Sequence, residues 1–351
     1  MTMDKDKMRT MADRVFRDMA GSMAAGLAFV GTETGLFRAM AGQGAMSVAA
    51  ATAASGLNAR YVEEWLKGMV AASYLDYDAA ADTYTLPAEH AFLLSSDGTD
   101  HFMGGMFAMM PPLMTVAPRV VEAFRHGGGV PFADYAPECR QAIDLMNRGN
   151  YEHRLVDYWL KQLPETSAAL NGGGRMLDVG CGRGYVVLAL KKAFPNADCL
   201  GIDPDRASIA EAQAAARAAG VAARFEATTS DALVDHRAFD LITLCDVLHD
   251  LPAPIPVLRG LRARLAPGGV LLVIEPRVSD KLEENVNPLA AMFYGFSVFH
   301  CMTQSLAHGG AGLGACLGPT RTKALFKAAG FGSAETLDIK SPTNLFYAVR
   351  G

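Results

Sequence analysis

The stretch Leu177-Asp-Val-Gly-Cys-Gly-Arg-Gly184 decides how this 351-residue chain reads. It follows an apolar run, Met176 to Val179, that predicts a buried strand, and precedes a helix-period segment, Gly184 to Phe194. Gly180, Gly182 and Gly184 therefore occupy a strand-to-helix turn. Glycines there let the backbone approach a ligand closely, and the helix start offers unpaired N–H groups. A dinucleotide fingerprint needs a third glycine where this chain has Tyr185. Asp203 ends the next predicted strand, Ala197 to Ile202, where a carboxylate can accept both hydroxyls of a ribose.

Downstream, strands alternate with helices, which implies a parallel sheet. Ala207 to Ala219 reads as a helix closed by Gly220, and Arg224 to Ala227, Phe239 to Leu244 and Val270 to Ile274 read as strands. Thr320 to Ala329 reads as a helix stopped by Gly330. Thr336 to Ile339 and Leu345 to Val349 are two further strands joined by only Lys340-Ser-Pro-Thr-Asn344. A parallel crossover needs a dozen residues or more, so the last strand must run antiparallel. The expectation is an α/β fold: a Rossmann-like sheet with an antiparallel C-terminal hairpin.

Upstream, residues 1–100 read as short helices and then a hairpin. Ser47 caps a helix from Val48, and Asn58 caps Ala59 to Ala71. Ser73-Tyr-Leu-Asp-Tyr and Asp82-Thr-Tyr-Thr-Leu alternate with period two. Helices followed by a two-stranded wing form a mainly helical, winged-helix-like domain. Residues 101–170 read as helical, with a last helix from Tyr151 to Leu163 ending before Pro164, and 171–351 as the α/β domain.

Residues 175–275 resemble a class I S-adenosylmethionine-dependent methyltransferase, whose sheet ends in this kind of hairpin. The resemblance implies that Asp178 and the backbone of Gly180 to Gly184 hold the methionine end of the cofactor and Asp203 its ribose. Asp231, in Thr229-Ser-Asp-Ala-Leu233, matches the residue that receives the adenine amino group; its plainer reading is a turn aspartate. Cys245 and Asp246, at the end of the fourth strand, complete the expected cofactor-binding set. The two-domain layout resembles plant- and actinobacterial-type small-molecule O-methyltransferases, in which the N-terminal domain builds a homodimer.

His249, in Cys245-Asp-Val-Leu-His-Asp-Leu-Pro252, lies at the strand ends where open parallel sheets bind ligands. Its ordinary pKa suits proton removal from a hydroxyl, and Glu275, closing the fifth strand, is placed to orient the ring. The pair resembles the base and glutamate of those O-methyltransferases, with Leu251 where they carry an aromatic residue. A histidine that only lines the pocket is the competing reading.

Residues 287–319 form an insertion read either as core packing with a mobile glycine-rich loop or as a wall or lid over an acceptor. Phe293, Phe296 and His300 fall on one helical face there, and Cys301 follows. Met106 and Met110 belong to a methionine stripe that fills a core or clamps a flat substrate. Tyr151 and Arg154 are two more candidate pocket residues; a solvated surface is the alternative for Arg154.

Six scattered cysteines make no metal-ligand spacing or disulfide framework, so no metal is expected and a reducing cytoplasm fits. No apolar stretch is long enough for a membrane span. The net charge is −5, and the first 100 residues hold 8 Lys/Arg against 13 Asp/Glu. The winged-helix half thus carries the acidic excess, opposite to what phosphate binding needs. The expected function is methyl transfer to a hydroxyl of a small molecule. The alternatives are an S- or N-methyltransferase acting by proximity, and a DNA-binding regulator with a cofactor-sensing domain.

Overall fold

The computed structural model describes residues 3–351. These form two compact units: residues up to Pro112 together with Gln141–Gly149, and Leu113–Arg140 together with Asn150–Gly351.

In the first unit, one 29-residue helix, Lys5–Glu33, replaces the short helices expected near the start. The Asp4 side chain caps it by accepting from the amides of Asp6 and Lys7. Its C-terminal part packs against the helix Ala59–Ala71: the Trp65 indole N–H donates to the Leu27 carbonyl at 2.8 Å. A Cβ on Gly31 would lie 2.5 Å from the Trp65 ring and 2.8 Å from the Phe37 ring, so this crossing requires glycine there, while at Gly68 only the tip of Leu27 stands 2.6 Å away. Toward the N-terminus Met8, Met11, Val15, Met19 and Met23 are exposed at three- and four-residue spacing. The capped helices follow as expected: Ser47 accepts from the Ala50 amide ahead of Val48–Ser55, and Asn58 from those of Arg60 and Tyr61. The wing is a short antiparallel pair, β1 (Asp76–Asp78) and β2 (Thr83–Thr85).

The second unit is built on a seven-stranded sheet: β3 (Arg175–Val179), β4 (Asp198–Asp203), β5 (Arg224–Ala227), β6 (Phe239–Cys245), β7 (Leu265–Pro276), β8 (Ser333–Thr336) and β9 (Asn344–Arg350). Its spatial order is β5-β4-β3-β6-β7-β9-β8, parallel through β7 and antiparallel at β9 and β8. Side chains alternate between two cores. Met176, Cys199, Leu241, Leu272 and Phe346 pack on one face, and Leu177, Leu200, Ile242, Leu271 and Tyr347 on the other. Both faces are buried, which is why these strands read as unbroken apolar runs.

Two expectations need correction. The strand placed at Thr336 to Ile339 lies at Ser333–Thr336; Leu337 and Ile339 are buried beyond it. The helix expected over Tyr151 to Leu163 is instead a π turn, Leu155–Trp159, and a 3-10 turn, Leu160–Gln162. Pro164 then begins a helix, Pro164–Asn171, at a first position that suits a residue without an N–H.

Candidate active site

The glycine turn sits at the carboxyl end of β3. Gly180, Gly182 and Gly184 all have positive φ (72°, 49° and 83°), a conformation that other residues enter at a cost. The turn is clamped to β4: the amides of Gly180 and Cys181 both donate to the Ile202 carbonyl. Asp203 continues that clamp, accepting from the Gly182 amide at 2.9 Å and the Asp205 amide at 2.8 Å, one on each oxygen. Each oxygen keeps lone-pair capacity for a further donor. A Cβ on Gly182 would meet nothing within 4 Å, so the turn's backbone is open on that side. Burial raises the Asp203 pKa.

Asp178 is buried within β3, and the Thr243 hydroxyl on β6 donates to it at 2.6 Å. Burial pushes its pKa up to about 7. Asp231 is exposed in the segment after β5, and a hydrogen bond from Thr229 lowers its pKa. Cys245 ends β6. Asp246 follows in a left-handed conformation (φ 55°), and burial pushes its carboxyl up to about 7. A non-glycine residue held there marks a backbone constrained by its surroundings.

His249 lies in a 3-10 turn, Leu248–Asp250, just past β6. Its Nδ1 is 2.8 Å from Glu275 Oε2 near the end of β7, and both residues are buried. Its Nε2 is 3.5 Å from Asp250 Oδ1. Burial alone would lower the imidazole pKa, but the Glu275 and Asp250 carboxylates outweigh it and hold it well above the ordinary value. Cys301 completes the cluster: its sulfur, one His249 ring nitrogen and one Asp250 oxygen lie within 4.8 Å of one another.

The insertion supplies the facing wall. It runs as a helix, Pro288–Phe296, a π turn, Ser297–Cys301, and a helix, Met302–Ala307. The π turn breaks the regular face expected for Phe293, Phe296 and His300: Phe293 and His300 are buried and Phe296 half-buried. The glycine-rich loop beyond is pinned to the His249 segment. The Gly314 amide donates to the His249 carbonyl at 3.3 Å and the Ala311 amide to the Pro252 carbonyl at 2.9 Å.

Of the other candidates, Tyr151 packs edge-on against Trp159, and the Arg154 guanidinium lies 6.0 Å from the Tyr158 ring centroid. Both side chains thus have partners in the helical layer. Met106 and Met110 belong to the first unit and are half-buried there. Sequence reasoning missed Gln304, whose amide donates to His300 Nδ1 at 2.9 Å, and Tyr135 and Phe132, whose rings flank His300. The i, i+4 spacing of His300 and Gln304 was the available signal.

Comparison with known proteins finds matches for two parts of the chain. Residues 151–309 match the family model "Methyltransferase domain", and residues 22–96 the "Rv2258c-like winged HTH domain". A ubiquinone biosynthesis O-methyltransferase of Pseudomonas putida is 35% identical over 99 residues, covering 28% of this chain and 42% of that protein. The chain thus spans less than half the length of the curated relatives it matches. Among solved structures, mitomycin 7-O-methyltransferase superposes with a TM-score of 0.68 at 17% identity, covering 99% of this chain and 100% of that one. Human N-acetylserotonin methyltransferase, solved with SAM, gives 0.65 at 20% identity, covering 97% of this chain and 98% of that one. Residues 151–309 are thus similar to methyltransferase domains and residues 22–96 to winged helix-turn-helix domains.

Proposed function

We propose that this protein methylates a hydroxyl oxygen of a small molecule, using S-adenosyl-L-methionine as donor and His249 as proton acceptor. The observation that carries the reading is the buried His249–Glu275 pair, 2.8 Å apart, at the sheet end that also bears the glycine turn. When bound, the cofactor supplies an electrophilic methyl group on its sulfonium. The open backbone at Gly182 and the spare lone pairs of Asp203 fit an amino-acid and ribose cradle, with Asp231 toward the adenine amino group and Cys245 and Asp246 along the side. The neutral form of Asp178 adds no repulsion between carboxylates at the methionine end.

Glu275 fixes the ring so that Nε2 faces the acceptor, and it stabilises the imidazolium that forms. A raised His249 pKa makes proton transfer from a hydroxyl more favourable. No metal is needed in this scheme.

The exposed apolar stripe of Lys5–Glu33 supports a homodimer formed through the N-terminal unit. On Ala59–Ala71, the candidate DNA-reading helix, Arg60 pairs with Glu64 and Lys67 with Glu63. Internally neutralised cations have little to offer phosphates, which favours an enzyme over a regulator. A cytoplasmic setting fits the free cysteines. Among the described residues no helix is long and apolar enough to cross a membrane.

Calorimetry with S-adenosylhomocysteine, followed by a methyl-transfer screen over phenols, thiols, thioethers and amines, tests the reading. Absence of cofactor heat sinks it. Transfer only to sulfur or nitrogen, indifferent to His249→Ala, would replace the hydroxyl by an acceptor that is aligned without a base.

A further inference from the structure

Three side chains that carry metal-ligand chemistry meet just past the end of β6. One His249 ring nitrogen, one Asp250 oxygen and the Cys301 sulfur lie within 4.8 Å of one another, with His249 and Cys301 buried and Asp250 half-buried. Asp250 Oδ1 is itself a buried atom with no hydrogen-bond partner, and a buried acceptor without a donor marks a place where a ligand belongs. Cys301 comes from the insertion, far along the chain from the other two, so no spacing in the sequence announces the set.

The spacing suits one small cation. Zinc bonds of about 2.0–2.3 Å at tetrahedral angles hold nitrogen, oxygen and sulfur ligands about 3.3–3.6 Å apart. His249 Nε2 and Asp250 Oδ1 stand at 3.5 Å, too far for a good hydrogen bond and at the spacing of two ligands of one ion. The sulfur has to close in by roughly 1.2 Å at most, which a small rotation of the Cys301 side chain supplies. Behind the ring, Glu275 Oε2 is 2.8 Å from Nδ1. That carboxylate fixes the tautomer with its proton on Nδ1 and the lone pair on Nε2, the arrangement found behind metal-bound histidines.

The two segments that carry these ligands are tied together. Besides the bonds from Gly314 and Ala311 to the His249 and Pro252 carbonyls, the buried Ser305 hydroxyl donates to the Leu251 carbonyl at 3.4 Å. Cys301 ends the π turn Ser297–Cys301, a form that often accompanies a functional site. An imidazole, a thiolate and a carboxylate suit zinc and its cobalt substitute, whereas magnesium and calcium prefer oxygen ligands alone.

We propose that His249, Asp250 and Cys301 form a zinc site that switches methyl transfer off. The ion binds His249 Nε2, Asp250 Oδ1 and the Cys301 sulfur, whose proton passes to solvent, and water fills the fourth position. It occupies the lone pair that would receive the acceptor's proton, so zinc and methyl transfer exclude each other. The cation site stands on the geometry alone; its inhibitory effect rests on His249 serving as proton acceptor.

The test is titration of the full chain, first stripped of metal by a chelator, with Zn²⁺ and Co²⁺, read by calorimetry, absorbance and methyl transfer to a phenol. The wild type is expected to take up one Zn²⁺, to show the near-ultraviolet thiolate-to-cobalt band with Co²⁺, and to give no heat with Mg²⁺. Cys301→Ser should abolish the band and weaken Zn²⁺ by at least about 10- to 100-fold. It should raise the zinc concentration that inhibits transfer by the same factor, each rate being compared with that variant's own rate in chelator. Cys316→Ser, at a half-buried cysteine outside the cluster, should do neither. If Cys301→Ser does not fold, Asp250→Asn, at a partly exposed side chain, replaces it in the zinc comparison. No zinc uptake, uptake indifferent to both cluster variants, or a band lost in Cys316→Ser instead overturns the inference. Zinc bound at this cluster with transfer to the phenol undiminished would overturn proton acceptance by His249 and leave the cation site standing.

Discussion

The Thr243 hydroxyl donates to the Asp178 carboxyl at 2.6 Å inside the sheet, joining β6 to β3 directly beneath the glycine turn. The carboxyl's pKa is about 7 in the fold, against about 4 in an unfolded chain. Below pH 4 both states are protonated and the group costs nothing. Between about pH 4 and 7 the unfolded state loses its proton first, so stability falls as pH rises, and above 7 the whole loss is present. Asp178→Asn keeps an oxygen for Thr243 and cannot ionise. Its stability relative to wild type, from urea unfolding, should therefore be greater at pH 8 than at pH 5. A difference independent of pH would show that Asp178 is ionised in the fold.

His249→Ala should lower kcat by about 10²- to 10⁴-fold, the usual range for a positioned base. S-adenosylhomocysteine affinity should stay within about twofold, because none of the cradle residues is touched. Stopped assays and calorimetry on one preparation check both numbers.

The activity of the wild type should rise with pH through a value above 6.5, because only the neutral imidazole accepts a proton and the carboxylates favour its protonated form. Glu275→Gln removes one of those charges, so its acid limb should move to lower pH while its plateau falls. A limb that stays in place would mean another group titrates.

Gly184→Ala places a Cβ 2.6 Å from the Phe225 ring at φ 83°. We expect a loss of about 1–3 kcal/mol in urea unfolding. Gly260→Ala, in the helix Pro254–Ala263 with nothing within 4 Å of the added carbon, should be neutral or slightly stabilising.

Replacing Met11 and Met19 by lysine charges the exposed stripe of Lys5–Glu33 without touching a buried side chain. Sedimentation should then show monomer where the wild type shows dimer. Unchanged mass would place any dimer contact elsewhere.

Local chemistry was legible in the sequence where one side chain decides the backbone. Ser47 and Asn58 cap where they were expected to, and four of the five parallel strands read as apolar runs because both sheet faces are buried there, while β5 at the edge is mostly exposed. Strand β8 was displaced because its pairing with β9 ends at the Leu337 amide, which donates to the Phe346 carbonyl, so that apolar Leu337 and Ile339 lie at and beyond its end while the paired Ser333–Thr336 is largely exposed. The long first helix went unread because its N-terminal apolar stripe faces outward and its Gly21 and Gly26 look like breaks. His249 and Glu275 were findable at strand ends. The setting of His300 was not, since Tyr135 reaches Phe299 across 164 residues of chain, a contact that no periodicity announces.

The position of β9 has a consequence for how the molecule comes into being. It is synthesised after β7 and β8 yet lies between them, with Leu345 paired to Glu275 and Val349 bridging Leu271 to Ala334. A nascent chain that has emerged only to residue 343 leaves β8 with no partner and the edge beside Glu275 open to water. The Glu275 carboxylate, 2.8 Å from His249 Nδ1, then lacks the strand that covers it, so a chain cut before β9 should lose the buried His249–Glu275 pair while the glycine turn keeps its bonds to β4.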